Sequence, residues 1–118
     1  MIRLVFALRR QPELSLEEFH DYWRRKHGPV VAGFAEDLNI LRYVQTNTIE
    51  GPANEAAQKA RGNMEPHYDG VAELWWSTEA ELEVALASEA GQAAGAALLE
   101  DEAKFIDLPQ SPLWFAYE

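Results

Sequence analysis

The hydrophobic period of this chain changes several times, and each change marks an element. Ile2, Leu4, Phe6 and Leu8 alternate with Arg3, Val5, Ala7 and Arg9, which predicts a strand over Ile2–Arg9 with one wholly apolar face and one mixed face. Gln11-Pro12 breaks the alternation. From Ser15 the period becomes helical, with Leu16, Phe19, Trp23 and His27 on one side of a helix. Ser15 and Glu18 have the spacing of a capping box at its start. Arg24, Arg25 and Lys26 suit the negative end of its dipole, and Gly28-Pro29 predicts its stop. Val30–Leu38 reads as a further short helical segment, and the β-branched and aromatic alternation of Leu41–Ile49 as a second strand.

The polar stretch Glu50–His67 opens on Gly51-Pro52 and contains Gly62 and Pro66, which predicts a long loop. Loops of this length serve as lids or binding segments, or are plain insertions, and NEAAQKAR within it has the composition for a turn or two of helix. Tyr68–Trp76 is the third strand. Thr78 and Glu81 form a second capping box, opening a helix that runs to about Glu89 and that Gly91 interrupts. An alanine-rich segment, Gln92–Lys104, follows, and Phe105–Leu108 and Leu113–Tyr117 supply the last extended segments around Pro109 and Pro112. The order β-α-β-β-α-β is that of an α+β, ferredoxin-like unit, with residues 1–118 forming one domain.

A sheet with helices on one side leaves its other face to be covered. Alternation gathers Tyr43, Gln45 and Asn47 with Asp69, Val71, Glu73 and Trp75 on that face, a set too apolar for plain exposure. Two such faces closing a barrel would bury them, so the pattern predicts a homodimer, a dimeric α+β barrel with a mixed-polarity interior. Composition narrows the partners further. A net charge of −10 argues against nucleic acid or an anionic membrane as partner. The charge is uneven: residues 1–61 carry nine bases and eight acids, residues 62–118 one base and twelve acids. This reads as a solvated acidic face. The absence of cysteine excludes disulfides, a thiol nucleophile and thiolate metal sites, and fits a cytoplasmic setting. The apolar run Ile2–Leu8 is too short for a signal peptide or a membrane span.

His27 leads the candidates for chemistry. An imidazole exchanges protons near neutral pH, and this one ends an apolar stripe, where a pocket rim would lie. The competing reading is a helix-capping or hydrogen-bonded core histidine. Glu73 is second, a carboxylate in mid-strand that would assist His27 or else pair with Arg3 or Arg42 across the sheet. Tyr22, Tyr43, Gln45, Trp75 and Trp114 would supply hydrogen bonds and aromatic walls to a substrate pocket, or plain core packing. Asp101, Glu102 and Asp107 read as helix-end or dimer contacts around a packing Phe105. His20 and His27 lie about 10 Å apart along the helix axis, too far to share an ion, so no metal site is expected. No phosphate-cradling loop, G-x-S-x-G elbow or dinucleotide fingerprint is present, and no cofactor is expected.

FHDYWRRKHGPV, preceded by a strand and an S-x-x-E start, resembles the EthD-like family of the dimeric α+β barrel superfamily. YDGVAELWW at Tyr68–Trp76 and DEAKFID at Asp101–Asp107 extend the likeness in the right order. The resemblance implies a ferredoxin-like protomer and favours a functional role for the histidine of H-G-P, His27. The expected function is cofactor-free proton-transfer chemistry (cyclisation, dehydration, isomerisation or decarboxylation) on a small apolar or aromatic carbonyl compound. In that scheme His27 is the acid/base, Glu73 assists, Tyr43 and Gln45 hold an oxygen, and Trp75 stacks on the substrate. The alternatives are a non-catalytic small-molecule-binding accessory protein of a catabolic pathway, and a haem-binding relative liganded through His27 or His67.

Overall fold

Strand β1 (Ile2–Leu8) is the seam of the fold, because it pairs antiparallel on both sides: with β3 (Gly70–Trp76) and with β4 (Leu113–Tyr117). Strand β2 (Arg42–Asn47) pairs antiparallel with β3, giving the order β2-β3-β1-β4 of a ferredoxin-like sheet. A computed structural model describes residues 1–63 and 65–118; Met64, inside the segment expected to be a loop, lies outside the described residues.

Register decides which side chains share a face. Leu4 lies opposite Leu74, which lies opposite Tyr43; Phe6 lies opposite Ala72, which lies opposite Gln45. These residues face the helices. On the other side, Arg3 lies opposite Trp75 and Val5 opposite Glu73, with Arg42 and Val44 beside them on β2. Tyr43, Gln45 and Asn47 are therefore not on the face of Glu73 and Trp75, as the alternation suggested. A one-residue slip exchanges every side chain between faces, and in LRYVQTN both parities mix apolar with polar residues.

The helical layer departs from the sequence reading at Gly28. Helix α1 (Leu16–Tyr22) starts at the expected capping box, the Ser15 hydroxyl accepting from the Glu18 N–H and the Glu18 carboxylate from the Ser15 N–H. It does not stop at Gly28-Pro29. It widens into a π-helical turn over Trp23–His27 and continues as α2 (Gly28–Phe34), with Pro29 in the first turn. Proline is tolerated there because the N–H it lacks would have no intrahelical partner. Gly28, in helical conformation with φ −51°, donates its N–H to the Trp23 carbonyl, five residues back. The wide turn also explains the buried stripe, which runs Phe19, Trp23, His27, Val31 in steps of four. Each such step overshoots an α-helical turn by about 40°, and a turn closed by i→i+5 bonds takes up that drift.

Trp23 is fully buried and packs against β3. A Cβ on Gly70 would come within 2.5 Å of its indole, so only glycine fits there. Phe19, Phe105, Leu8 and Ile106 complete the most deeply buried group, and Trp76, also facing the helices, donates its indole N–H to the Leu38 carbonyl at 2.7 Å.

The second helical region breaks at Ser88, not at Gly91. Helix α4 (Glu79–Ala87) is capped by Thr78, and Ser88 then caps α5 (Glu89–Glu102) by accepting the Gly91 N–H at 2.9 Å. Gly91 sits inside the first turn of α5, where a Cβ would meet the Ala85 carbonyl oxygen. Phe105–Leu108 is not a strand: Arg10 and Ile106 form one isolated bridge, followed by a short 3-10 turn over Leu108–Gln110. Within the expected loop, Pro52–Ala60 forms a nine-residue helix, α3, with no buried residue. No helix among the described residues is long and apolar enough to cross a membrane.

Gly70→Ala should lower stability by about 1–3 kcal/mol, the cost of overpacking Trp23 against β3. The check is the denaturant midpoint of the variant against wild type, with an unchanged slope.

Candidate functional site

Between the apolar face of the sheet and the helices lies a cavity of about 90 Å³, lined among others by Phe6, Trp23, His27, Tyr43, Leu74 and Glu102. By volume it holds about three waters or a small organic group. Nine of its twelve lining residues are apolar, and the three that are not, His27, Tyr43 and Glu102, come from three different elements.

His27 is only 4% exposed. The wide turn swings it under α5, where its Nδ1 lies 2.7 Å from Asp101 Oδ2 and its ring packs against Phe105 at 5.0 Å. Burial lowers the imidazole below its usual pKa, and the Asp101 hydrogen bond and charge only partly oppose this. The arrangement is therefore a neutral imidazole that donates Nδ1–H to a carboxylate. Its Nε2 then carries the lone pair, and that nitrogen has no hydrogen-bond partner among the described residues. Burial alone would raise Asp101, but hydrogen bonds from His27 and Tyr22, the nearby imidazole and Lys104 hold it below the ordinary carboxylate range. The Tyr22 hydroxyl donates to Asp101 Oδ1 at 2.8 Å; burial and this anionic neighbour push its phenol up to about 12.

Gln45 holds the opposite wall. Its side-chain amide donates to the Trp23 carbonyl and to the Tyr43 hydroxyl oxygen, both at 2.8 Å. The amide thus ties β2 to the wide turn, and a Cβ on Gly28 would lie 3.3 Å from its nitrogen. Because Tyr43 accepts from Gln45, its own hydroxyl proton remains available to a ligand. Burial raises the Tyr43 phenol, so it is a donor and not a phenolate near neutral pH.

Glu102 is the residue the sequence reading missed as a cavity group. Burial, and secondarily the charge of Asp101, raise its carboxyl to about 7. Its signal was present in the spacing: Leu98, Asp101, Glu102 and Phe105 fall at i, i+3, i+4 and i+7, so both acids share a helix stripe with two buried apolar residues. The helix-end reading of these acids gives way to one partner for His27 and one cavity wall.

The structure thus brings His27, Tyr22, Tyr43 and Gln45 together and places Glu73, Trp75 and Trp114 on the opposite face of the sheet. Glu73 pairs there with Arg3 at 3.0 Å, the competing reading of that carboxylate. Trp75, 6% exposed, lies under the guanidinium groups of Arg42 and Arg3, at 4.9 and 5.7 Å, and donates to Glu118 at 2.8 Å. Trp114, opposite Val5, is 48% exposed. None of the three lines the cavity. The residues present do not fit a haem: a cavity of about 90 Å³ is far too small for a porphyrin beside His27. His67 is exposed on an open polar groove with Arg9, Arg10 and Asp69. Among the described residues no three His, Asp or Glu side chains are grouped to hold a metal ion.

A pH-dependent cost follows from Glu102. The unfolded chain ionises this group near 4.5, whereas the fold keeps it protonated to about 7. Its destabilisation is therefore absent below pH 4.5, grows through that window and is complete above it. Glu102→Gln should raise stability at pH 8 by about 1–3 kcal/mol, allowing for partial exposure, and change it little at pH 4.5. Denaturant midpoints of the two proteins at both pH values check this.

The chain matches the EthD domain model over residues 11–109. Among solved structures it is similar to an EthD family protein from Bacillus halodurans C-125, at 19% identity and TM-score 0.64, covering 100% of this chain and 99% of that one. An EthD-like protein from Ralstonia eutropha JMP134 follows at 17% identity and TM-score 0.61, covering 98% and 89%. SnoaB, a cofactor-independent oxygenase from Streptomyces nogalater, is similar at 14% identity and TM-score 0.53, covering 99% and 91%. No curated protein matches the chain in sequence. At these identities the structural likeness speaks for the fold, while the family model spans most of the sequence from the approach to α1 through Phe105 and beyond: this chain belongs to the EthD domain family.

Proposed function

We propose that this protein is a cofactor-free enzyme of small-molecule metabolism that moves a proton on a small, largely apolar carbonyl compound held between the sheet and the helices. The observation that carries the reading is the pairing of His27 with Asp101 beside an apolar cavity. A neutral imidazole whose Nδ1–H is held by a carboxylate is oriented, fixed in tautomer, and able to accept a proton at Nε2. Asp101 stabilises the imidazolium that forms, and Tyr22 holds Asp101. The Tyr43 hydroxyl supplies a donor for the ligand's oxygen, and Trp23 and Leu74 give it an apolar floor. Cyclisation, dehydration, isomerisation and decarboxylation all draw on such a base–donor pair. The description of SnoaB as cofactor-independent agrees with chemistry carried by side chains alone.

The same reading includes a homodimer joined through the outer sheet face. Among the described residues no helix covers that face, yet it presents Val5, Val44, Val71 and the exposed Trp114, with the Arg3–Glu73 pair among them. An interior made of these groups suits burial against a second copy better than exposure. Sedimentation at micromolar concentration is expected to give a dimer; a well-folded monomer would refute the assembly.

His27→Gln tests the chemistry. The glutamine amide can still donate to Asp101, so folding should survive, but it cannot exchange a proton usefully at neutral pH. Incorporation of deuterium from D2O into a panel of small ketones, followed by NMR, should fall by about 10²–10⁴-fold. An unchanged rate in a normally folded variant would remove His27 from the mechanism and leave a small-molecule-binding protein.

A further inference from the structure

The cavity has a chemical asymmetry that the histidine does not explain. Among the described residues its lining contains no lysine or arginine. Asp101, on α5 next to this lining, is a carboxylate committed to His27, Tyr22 and Lys104. Glu102, one residue on, is different: its carboxyl has no hydrogen-bond or ion-pair partner among the described residues, and it forms part of the cavity wall with Leu98, one turn before it. A half-buried carboxyl with no protein partner and apolar side chains beside it is costlier to ionise than one in open water, and serviceable when protonated, as a hydrogen-bond donor. Tyr43, from β2, places a hydroxyl donor in the same wall.

We infer that Glu102 is a second catalytic residue, an acid that protonates the ligand's oxygen, and that the site selects neutral carbonyl compounds (ketones, aldehydes or esters) against carboxylates. The inference rests on the proton-transfer reading of His27 and names its substrate class. A carbonyl oxygen accepts from the Glu102 O–H and the Tyr43 O–H. A carboxylate of the same shape would bring a negative charge into a cavity with no cation, beside Asp101. The raised pKa of Glu102, about 7, keeps the donor form populated up to neutral pH.

The step balances without any further reactant. His27 Nε2 takes the proton from the carbon next to the carbonyl, and that C–H bond breaks. Its electron pair becomes the carbon–carbon double bond of an enol as the C=O π pair moves onto oxygen, which takes the Glu102 proton. The enzyme is left with an imidazolium, balanced by Asp101, and a Glu102 carboxylate. Return of the two protons in the reverse sense, the carbon proton to the same or a different position, gives exchange or isomerisation and restores both groups.

The experiment uses an isosteric pair, butanone and propionate, which differ by a methyl group in place of a charged oxygen. Binding to the full-length protein is read by saturation-transfer NMR, and α-deuteration of butanone in D2O by proton NMR, for wild type, Glu102→Gln and His27→Gln. At pH 6 wild type should bind butanone at least about tenfold more tightly than propionate. Its butanone affinity should fall as pH rises through about 7, the value at which Glu102 loses its proton, and Glu102→Gln should abolish that dependence. Glu102→Gln should still bind butanone, through its amide N–H, but exchange the α-protons about 10²-fold more slowly. Exchange lost in His27→Gln but unchanged in Glu102→Gln would overturn the role of Glu102 and leave the histidine reading standing. Exchange unaffected by His27→Gln would overturn the histidine reading instead. Propionate bound as tightly as butanone, or neither bound, would overturn the assigned substrate class.

Discussion

The rest of the structure depends on a constraint at one proline. Pro29 interrupts a helical run that otherwise extends from Leu16 to Phe34, and a proline inside an α-helix removes a hydrogen bond and collides with the carbonyl one turn back. The chain resolves the conflict by widening the preceding turn, Trp23–His27, and restarting at Gly28. Two consequences follow. The Trp23 carbonyl accepts from both Gly28 and Gln45, which fastens β2 to the helical layer. And the four-residue stripe from Phe19 to Val31 stays aimed at the sheet, so that a histidine, not an aliphatic residue, arrives under α5. Single wide turns of this kind recur at functional sites because they place a side chain where a regular helix would not.

Around that turn the polar and apolar demands are separated cleanly. Trp23 lies on the bare backbone of Gly70, a contact made possible only by the missing Cβ. Phe105 packs against His27 and Tyr22 together, with ring centroids 5.0 and 4.9 Å away, and shields one side of the hydrogen bonds they make to Asp101. A low local dielectric strengthens these bonds and at the same time disfavours the imidazolium. The result is an imidazole that rests neutral but has a counter-charge ready when it accepts a proton. Glu102, without such partners, moves the other way and holds its proton. An imidazole lowered below its ordinary value and a carboxyl raised to about 7 leave a neutral base beside a protonated acid, the pairing that general acid–base chemistry needs.

The two faces of the sheet carry different kinds of side chain. The helix face holds the cavity and its three polar groups. The outer face holds Trp75 under two guanidinium groups, the Arg3–Glu73 ion pair and an exposed Trp114. A mid-strand carboxylate such as Glu73 looks catalytic only while its face is undecided. Paired with Arg3 across β1 and β3, it satisfies the electrostatics of a partly buried surface and has no route to His27, because the sheet lies between them.

Local pattern by itself determined the β-α-β-β-α-β order, the capping box at Ser15, the N-cap at Thr78, and the apolar stripe through Phe19 and Trp23 to His27, since each depends on residues within a few turns of one another. The placing of Trp75 with Glu73 on the face away from the helices followed equally from strand alternation. Tertiary structure alone decided the parity of β2, because its sequence alternates ambiguously and only pairing with β3 sets the register that carries Tyr43 and Gln45 to His27. It also decided that Gly28-Pro29 continues a helix, an outcome that needs the sheet and Gln45 on one side of the turn and α5 on the other. Above all it joined His27 to Asp101, residues 74 positions apart, and turned an acid read as a helix end into the partner of the histidine. Periodicity reports which face of an element is buried; which polar group meets which across two buried faces is fixed only when those faces pack.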